Sequence, residues 1–105
     1  MRTYRGRREG HVAEVTADGR SINPRLDLWN HSPTGFECGY GGSGPAQLSL
    51  ALLADYLHDD QEALRLHQEF KHVVISRLPY VGWELTSHQM AAWLEIIDSR
   101  MPGRA

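Results

Sequence analysis

The chain has 105 residues and a mass of 11.9 kDa, the size of a single domain rather than two. Hydrophobic residues make up 41% and charged residues 23%, a globular balance that excludes disordered, collagen-like and membrane-embedded classes. Its formal net charge of -2 conceals a gradient: residues 1–25 carry six arginines against three acids, residues 26–60 carry five acids and no base, and the remainder balances.

The first eight residues are basic but have no apolar stretch behind them, so no secretory signal is read and a cytoplasmic location is expected. Thr3 to Arg8 and His11 to Thr16 read as strands joined at Glu9-Gly10. Asp18-Gly19 is a hairpin signal, because a two-residue turn needs positive φ at both positions. Val12 and Val15 fall on opposite faces, which leaves the register open. Leu26 to Trp29 is expected as a further strand beginning after Pro24, with Leu26 and Leu28 facing the core.

Ten of the eleven basic residues are arginine, whose planar fork suits phosphate and carboxylate. Arg5, Arg7, Arg8, Arg20 and Arg25, with Tyr4 and Trp29 as stacking surfaces, are therefore candidates for an interface with single-stranded nucleic acid. The alternative is a solvated strand face.

From Asn30 to Gly44 the chain turns to loop chemistry, and Pro45 opens a helix to about His58 with Ser43 or Gly44 as cap. That helix is apolar nearly all round; Gln47, Ala51, Asp55 and His58 form a narrow polar strip, so it belongs at the centre of the domain. Asp59-Asp60 caps a second helix to about Arg77, with Ala63, Leu66, Phe70, Val73, Val74 and Leu78 as its buried stripe and Pro79 as its stop. Trp83-Glu84-Leu85 is a short strand or connector. Thr86 and Gln89 form a capping box for a third helix to about Arg100, with Met90, Trp93, Leu94, Ile97 and Met101 inward. The fold class expected is α+β, a small antiparallel N-terminal sheet packed against three helices with the central one buried.

Gly39-Tyr40-Gly41-Gly42-Ser43-Gly44 matches G-x-G-x-x-G literally, but two helices follow it almost directly where a dinucleotide fold needs a strand on each side of one. A P-loop needs Lys-Ser or Lys-Thr where the chain has Pro45-Ala46, and a nucleophile elbow needs glycine at Pro45. No cofactor is expected. What survives is a loop of free backbone amides at a helix start, able to meet a small anion or a partner, or simply a tight turn packed on the central helix.

His31, Glu37, Tyr40, Gly41, Gly42, Ser43 and Gln47 are its candidate contact residues. Glu37 is expected to accept backbone hydrogen bonds from residues 39–47 and hold the loop's shape. The six histidines lack metal-ligand spacing and Cys38 is the only cysteine, so no internal disulfide and no metal site are expected. His67 reads as a satisfied boundary histidine, and Cys38 as a packed side chain.

The run Asn30-His31-Ser32-Pro33-Thr34-Gly35-Phe36-Glu37-Cys38-Gly39-Tyr40-Gly41-Gly42-Ser43-Gly44-Pro45-Ala46-Gln47-Leu48 resembles the signature of a domain of unknown function carried by bacteria, archaea, their viruses and mobile elements. Tyr4-Arg5-Gly6, Asp18-Gly19, Ala63-Leu64, Phe70-Lys71, Gly82-Trp83 and Leu85-Thr86 extend the resemblance along the chain. It departs at Cys38, where similar sequences have an aromatic residue, usually Trp. The resemblance implies a loop rather than a reaction, and its mobile-element setting suggests an anti-defence, anti-CRISPR-like inhibitor. The leading expectation is a non-enzymatic binding protein acting by occlusion. The alternatives are a nucleic-acid binder using the arginine-rich sheet and an enzyme using Glu37 and His31.

Overall fold

The computed structural model describes residues 2–101, and of Val12 the backbone alone. β1 (Thr3–Glu9), β2 (Val12–Ala17), β3 (Arg20–Ser21) and β4 (Gly82–Thr86) form one antiparallel sheet in the order β3-β2-β1-β4. The two N-terminal turns are those expected. Gly10 has φ 61, and at the β2–β3 turn Asp18 and Gly19 have φ 50 and 84, the pair of positive values that Asp-Gly tolerates. Asp18 also ties this turn to β1, its carboxylate accepting the Thr3 amide at 2.8 Å.

Register follows from the one buried face. Tyr4 stands opposite both Ala17 and Leu85, and Gly6 opposite both Val15 and Trp83, so this row of side chains faces the helices. Gly6 is needed there: a Cβ on it would lie 2.2 Å from the Trp83 indole nitrogen. Arg5 and Arg7 alternate to the other face. They meet Glu84 at 2.8 Å and Glu14 at 3.0 Å, each the residue directly opposite on a neighbouring strand.

α1 (Ser43–Leu57) is the centre of the core, with every residue from Gly44 to Ala54 buried. Its polar strip is half covered: Gln47 and Ala51 are buried, and only Asp55 and His58 reach water. The cap is Gly42, with no side-chain hydrogen bond, so Ser43 sits inside the helix instead of capping it. α2 (Asp60–Val73) has the expected Asp59 cap, its carboxylate accepting the Glu62 amide. It ends earlier than Arg77 and continues as a 3-10 turn, Ile75–Arg77. Three successive β-branched residues, Val73 to Ile75, disfavour a further α-turn, and the Ser76 hydroxyl donates back to the His72 carbonyl. α3 (Ser87–Arg100) carries the Thr86/Gln89 capping box; Met90, Leu94 and Ile97 are buried, whereas Trp93 stays exposed.

The expected strand at Leu26 to Trp29 is a turn. Asn23 accepts the Arg25 amide through its side chain, and Arg25 takes φ 56, which breaks an extended run. Leu28 then donates to the Arg25 carbonyl, leaving Leu26 exposed.

Candidate functional site

The glycine loop is held from β1 as well as by its own Gly39 amide. Arg8, near the end of β1, reaches the loop with a guanidinium that donates to both oxygens of Glu37, at 2.8 and 3.1 Å. Its Nε donates to the Tyr80 carbonyl at 3.1 Å, and the plane lies 3.6 Å from the centre of the Tyr80 ring. One arginine therefore ties β1, the loop and the connection into β4 together, and its side chain is only 10% exposed. The hydrogen bond to Glu37 raises the Arg8 pKa above its ordinary value.

This corrects the expected role of Glu37, whose hydrogen bonds run to Arg8 and not to amides of residues 39–47. An arginine fork satisfies both carboxylate oxygens at once, which scattered amides do not. The Glu37 stem rests on the first turn of α1, where a Cβ on Gly44 would lie 2.7 Å from it. Gly39 has φ 84, donates its amide to the Ile75 carbonyl at 3.0 Å, and lets the loop approach Leu78 and Tyr80. Gly41 and Gly42 do not have positive φ; Gly35 and Gly39 do.

Around this clamp three apolar side chains face water: Tyr40 at 49%, Tyr80 at 53% and Val81 at 77% exposure. Tyr80 and Val81 carry no motif, and the signal that could have found them is only that two large apolar residues follow a helix-stopping proline. Cys38, beneath the loop, is buried with its thiol toward the Pro79 carbonyl, and burial pushes its pKa up, as a packed thiol requires.

A second network holds the segment before the loop. Gln47, wholly buried on α1, accepts the amides of His31 and Ser32 at 2.7 and 3.1 Å and donates to the Pro24 carbonyl at 2.6 Å. His31 lies 3.0 Å, nitrogen to nitrogen, from His67 on α2, and Trp29 stacks on the His31 ring. Burial lowers the pKa of both histidines. His67 is satisfied, as expected, but it is buried rather than at a boundary.

The candidate nucleic-acid residues do not converge on one free cationic surface. Tyr4 is buried, its hydroxyl donating to Asp55 at 2.7 Å, and its pKa is raised by burial and by that carboxylate. Arg5 and Arg7 pair across strands, Arg8 is in the clamp, and Arg25 binds Asp27 and Asp60. Arg20 is exposed on β3, and Trp29 is the only one of the set that presents an open aromatic face. His31 and Glu37, the pair proposed for catalysis, belong to the two different networks.

Among the described residues no helix is long and apolar enough to cross a membrane, and no three or more His, Cys, Asp or Glu gather as a metal site. Fold and site together define a small α+β domain whose glycine loop is clamped onto an antiparallel sheet. Residues 4–96 match a Family of unknown function (DUF6166), and the chain belongs to it. No curated protein and no solved structure matches the chain.

Proposed function

We propose that the protein is a non-enzymatic binding module that occludes a surface of a partner protein, docking through Tyr40, Tyr80 and Val81. The observation that carries this reading is the clamp beneath them: exposed apolar side chains stand on backbone fixed by Arg8 and Glu37. Tyrosine and arginine are the residue types that dominate interface energetics, and a pre-ordered loop loses little entropy on binding. Inhibition of a defence machine, the role the resemblance suggests, is one form of such occlusion.

The nucleic-acid reading has less support, since four of its five arginines already donate to carboxylates. Capture of partners from the native host's lysate tests the proposal, comparing the wild-type chain with Tyr40→Ser/Val81→Asp and with Arg5→Ala/Arg7→Ala. A partner held by the wild type and the arginine variant, but bound about 30-fold more weakly by the loop variant, is expected for a hot spot of about 2 kcal/mol. Loss in the arginine variant alone, with single-stranded DNA shifting at low salt, would reverse the assignment.

A further inference from the structure

His31 and His67 meet through their Nε2 atoms at 3.0 Å, while their ring centres are 5.1 Å apart. The nitrogens therefore lie close to the line between the rings, and each nitrogen points at the other. That is the geometry of a single N–H···N hydrogen bond. Two imidazoles ligating one cation would instead turn their lone pairs toward a common third point.

The proton positions follow from the remaining contacts. His67 Nδ1 lies 2.7 Å from the Leu64 carbonyl, which can only accept, so Nδ1 carries the hydrogen. In the neutral ring Nε2 is then the acceptor, and His31 Nε2–H donates to it. A closed pair takes one proton at His31 Nδ1 without losing the bond. A second proton has only His67 Nε2 left, and it would set two N–H groups against each other.

We propose that this pair is a proton-operated latch: with His67 neutral it holds His31 and Trp29 against α2, and protonation of His67 releases both side chains. The surroundings oppose charge on the closed pair. His67 is buried, and the charged group acting on both rings is Lys71, one turn further along α2, which repels a second positive charge. From α1 the neighbours are Gln47 and Ser49, the latter donating to the His67 carbonyl at 2.6 Å, and neither titrates. From the released segment the neighbour is Trp29, stacked on His31 at 4.6 Å and 15°.

Gln47 keeps the backbone of His31 and Ser32 in place, so release is confined to the two side chains. The released imidazolium stays on the indole face as a cation–π pair. Histidine in the open form binds protons at about pH 6.5, which the closed form resists, so the closed-to-open ratio falls as pH drops below about 6.5. The fall is about tenfold per pH unit for each proton the closed form refuses.

Nuclear magnetic resonance on the full chain with nitrogen-labelled histidines tests this directly. At pH 7.5 His67 is expected as the Nδ1–H tautomer, with ring contacts from His31 and Trp29 to His67. Between pH 6.5 and 5 those contacts to His67 should disappear together with its protonation. The Trp29–His31 contact and the core contacts of Leu50 and Phe70 should remain. In His67→Gln, whose amide oxygen accepts from His31 and does not titrate, the ring segment should stay docked to pH 5. An Nε2–H tautomer at neutral pH, protonation of His67 at or above 6.5, or contacts that persist through its titration would overturn the proposal. These wild-type readings decide it even if the variant does not fold.

Discussion

Removing the Arg8 side chain tests whether the glycine loop is held from β1. The Arg8–Glu37 pair lies between two measured limits: exposed ion pairs contribute about 0–1 kcal/mol, and removing one partner of a fully buried pair costs about 3–5 kcal/mol. With Arg8 10% and Glu37 27% exposed, Arg8→Ala is expected to cost about 2–3 kcal/mol, because Glu37 is left partly desolvated and unpaired. For a domain of this size that corresponds to a fall in Tm of about 10–20 °C.

Glu37→Gln turns an amide N–H toward the guanidinium and should cost about 1–2 kcal/mol by itself. The double variant should be less destabilised than the sum of the two, by about 1–2 kcal/mol, since the second change removes a partner already lost. Urea titration and thermal unfolding monitored by circular dichroism measure all four corners of this cycle. An Arg8→Ala variant within about 0.5 kcal/mol of wild type, or strict additivity with Glu37→Gln, would refute the clamp.

Leu50→Asp places an unpaired charge in the middle of α1 and should abolish cooperative unfolding, since its cost of several kcal/mol approaches a typical stability of about 5–15; a melt near the wild-type temperature would contradict this. Gly6→Ala should cost about 1–3 kcal/mol because Trp83 must move, and Gly39→Ala about 1 kcal/mol through its positive φ, while Gly41→Ala, with open space around it, should be neutral in the same unfolding assay. Cys38→Ser should leave partner capture unchanged, and alkylation of the native thiol at neutral pH should be slow; fast modification would contradict burial. Burial pushes the Asp55 carboxyl up, but hydrogen bonds from Arg2 and Tyr4 outweigh it and the net shift is downward. Its stabilising contribution is therefore present above about pH 4 and lost as pH falls below that, so wild type should lose its advantage over Asp55→Asn in acid melts, and parallel pH curves would refute the assignment.

What was legible in the sequence is what local chemistry decides. Asp18-Gly19 declares its turn, Asp59 and Thr86 with Gln89 declare helix starts, and the apolar circumference of α1 declares a central helix. The strand expected at Leu26 failed for a local reason also in plain view, because Asn23-Pro24 supports a turn as readily as a strand start. The site was less legible because its partners are distant in the chain. Glu37 finds Arg8 29 positions away and His31 finds His67 36 away, and no spacing rule connects them. The burial of Gln47 was hidden because a helical projection cannot show that residues 24–32 fold over it. Gly6 gave no hint of Trp83, since the register that brings them together forms only when β4 joins β1.

The most direct test of the binding proposal is site-specific photocrosslinking in the native host, with a photoreactive phenylalanine analogue placed at Val81 or, on the outer face of the sheet, at Arg5. A discrete protein adduct is expected from position 81 and none from position 5. Adducts to nucleic acid, or a protein adduct from position 5 alone, would contradict it.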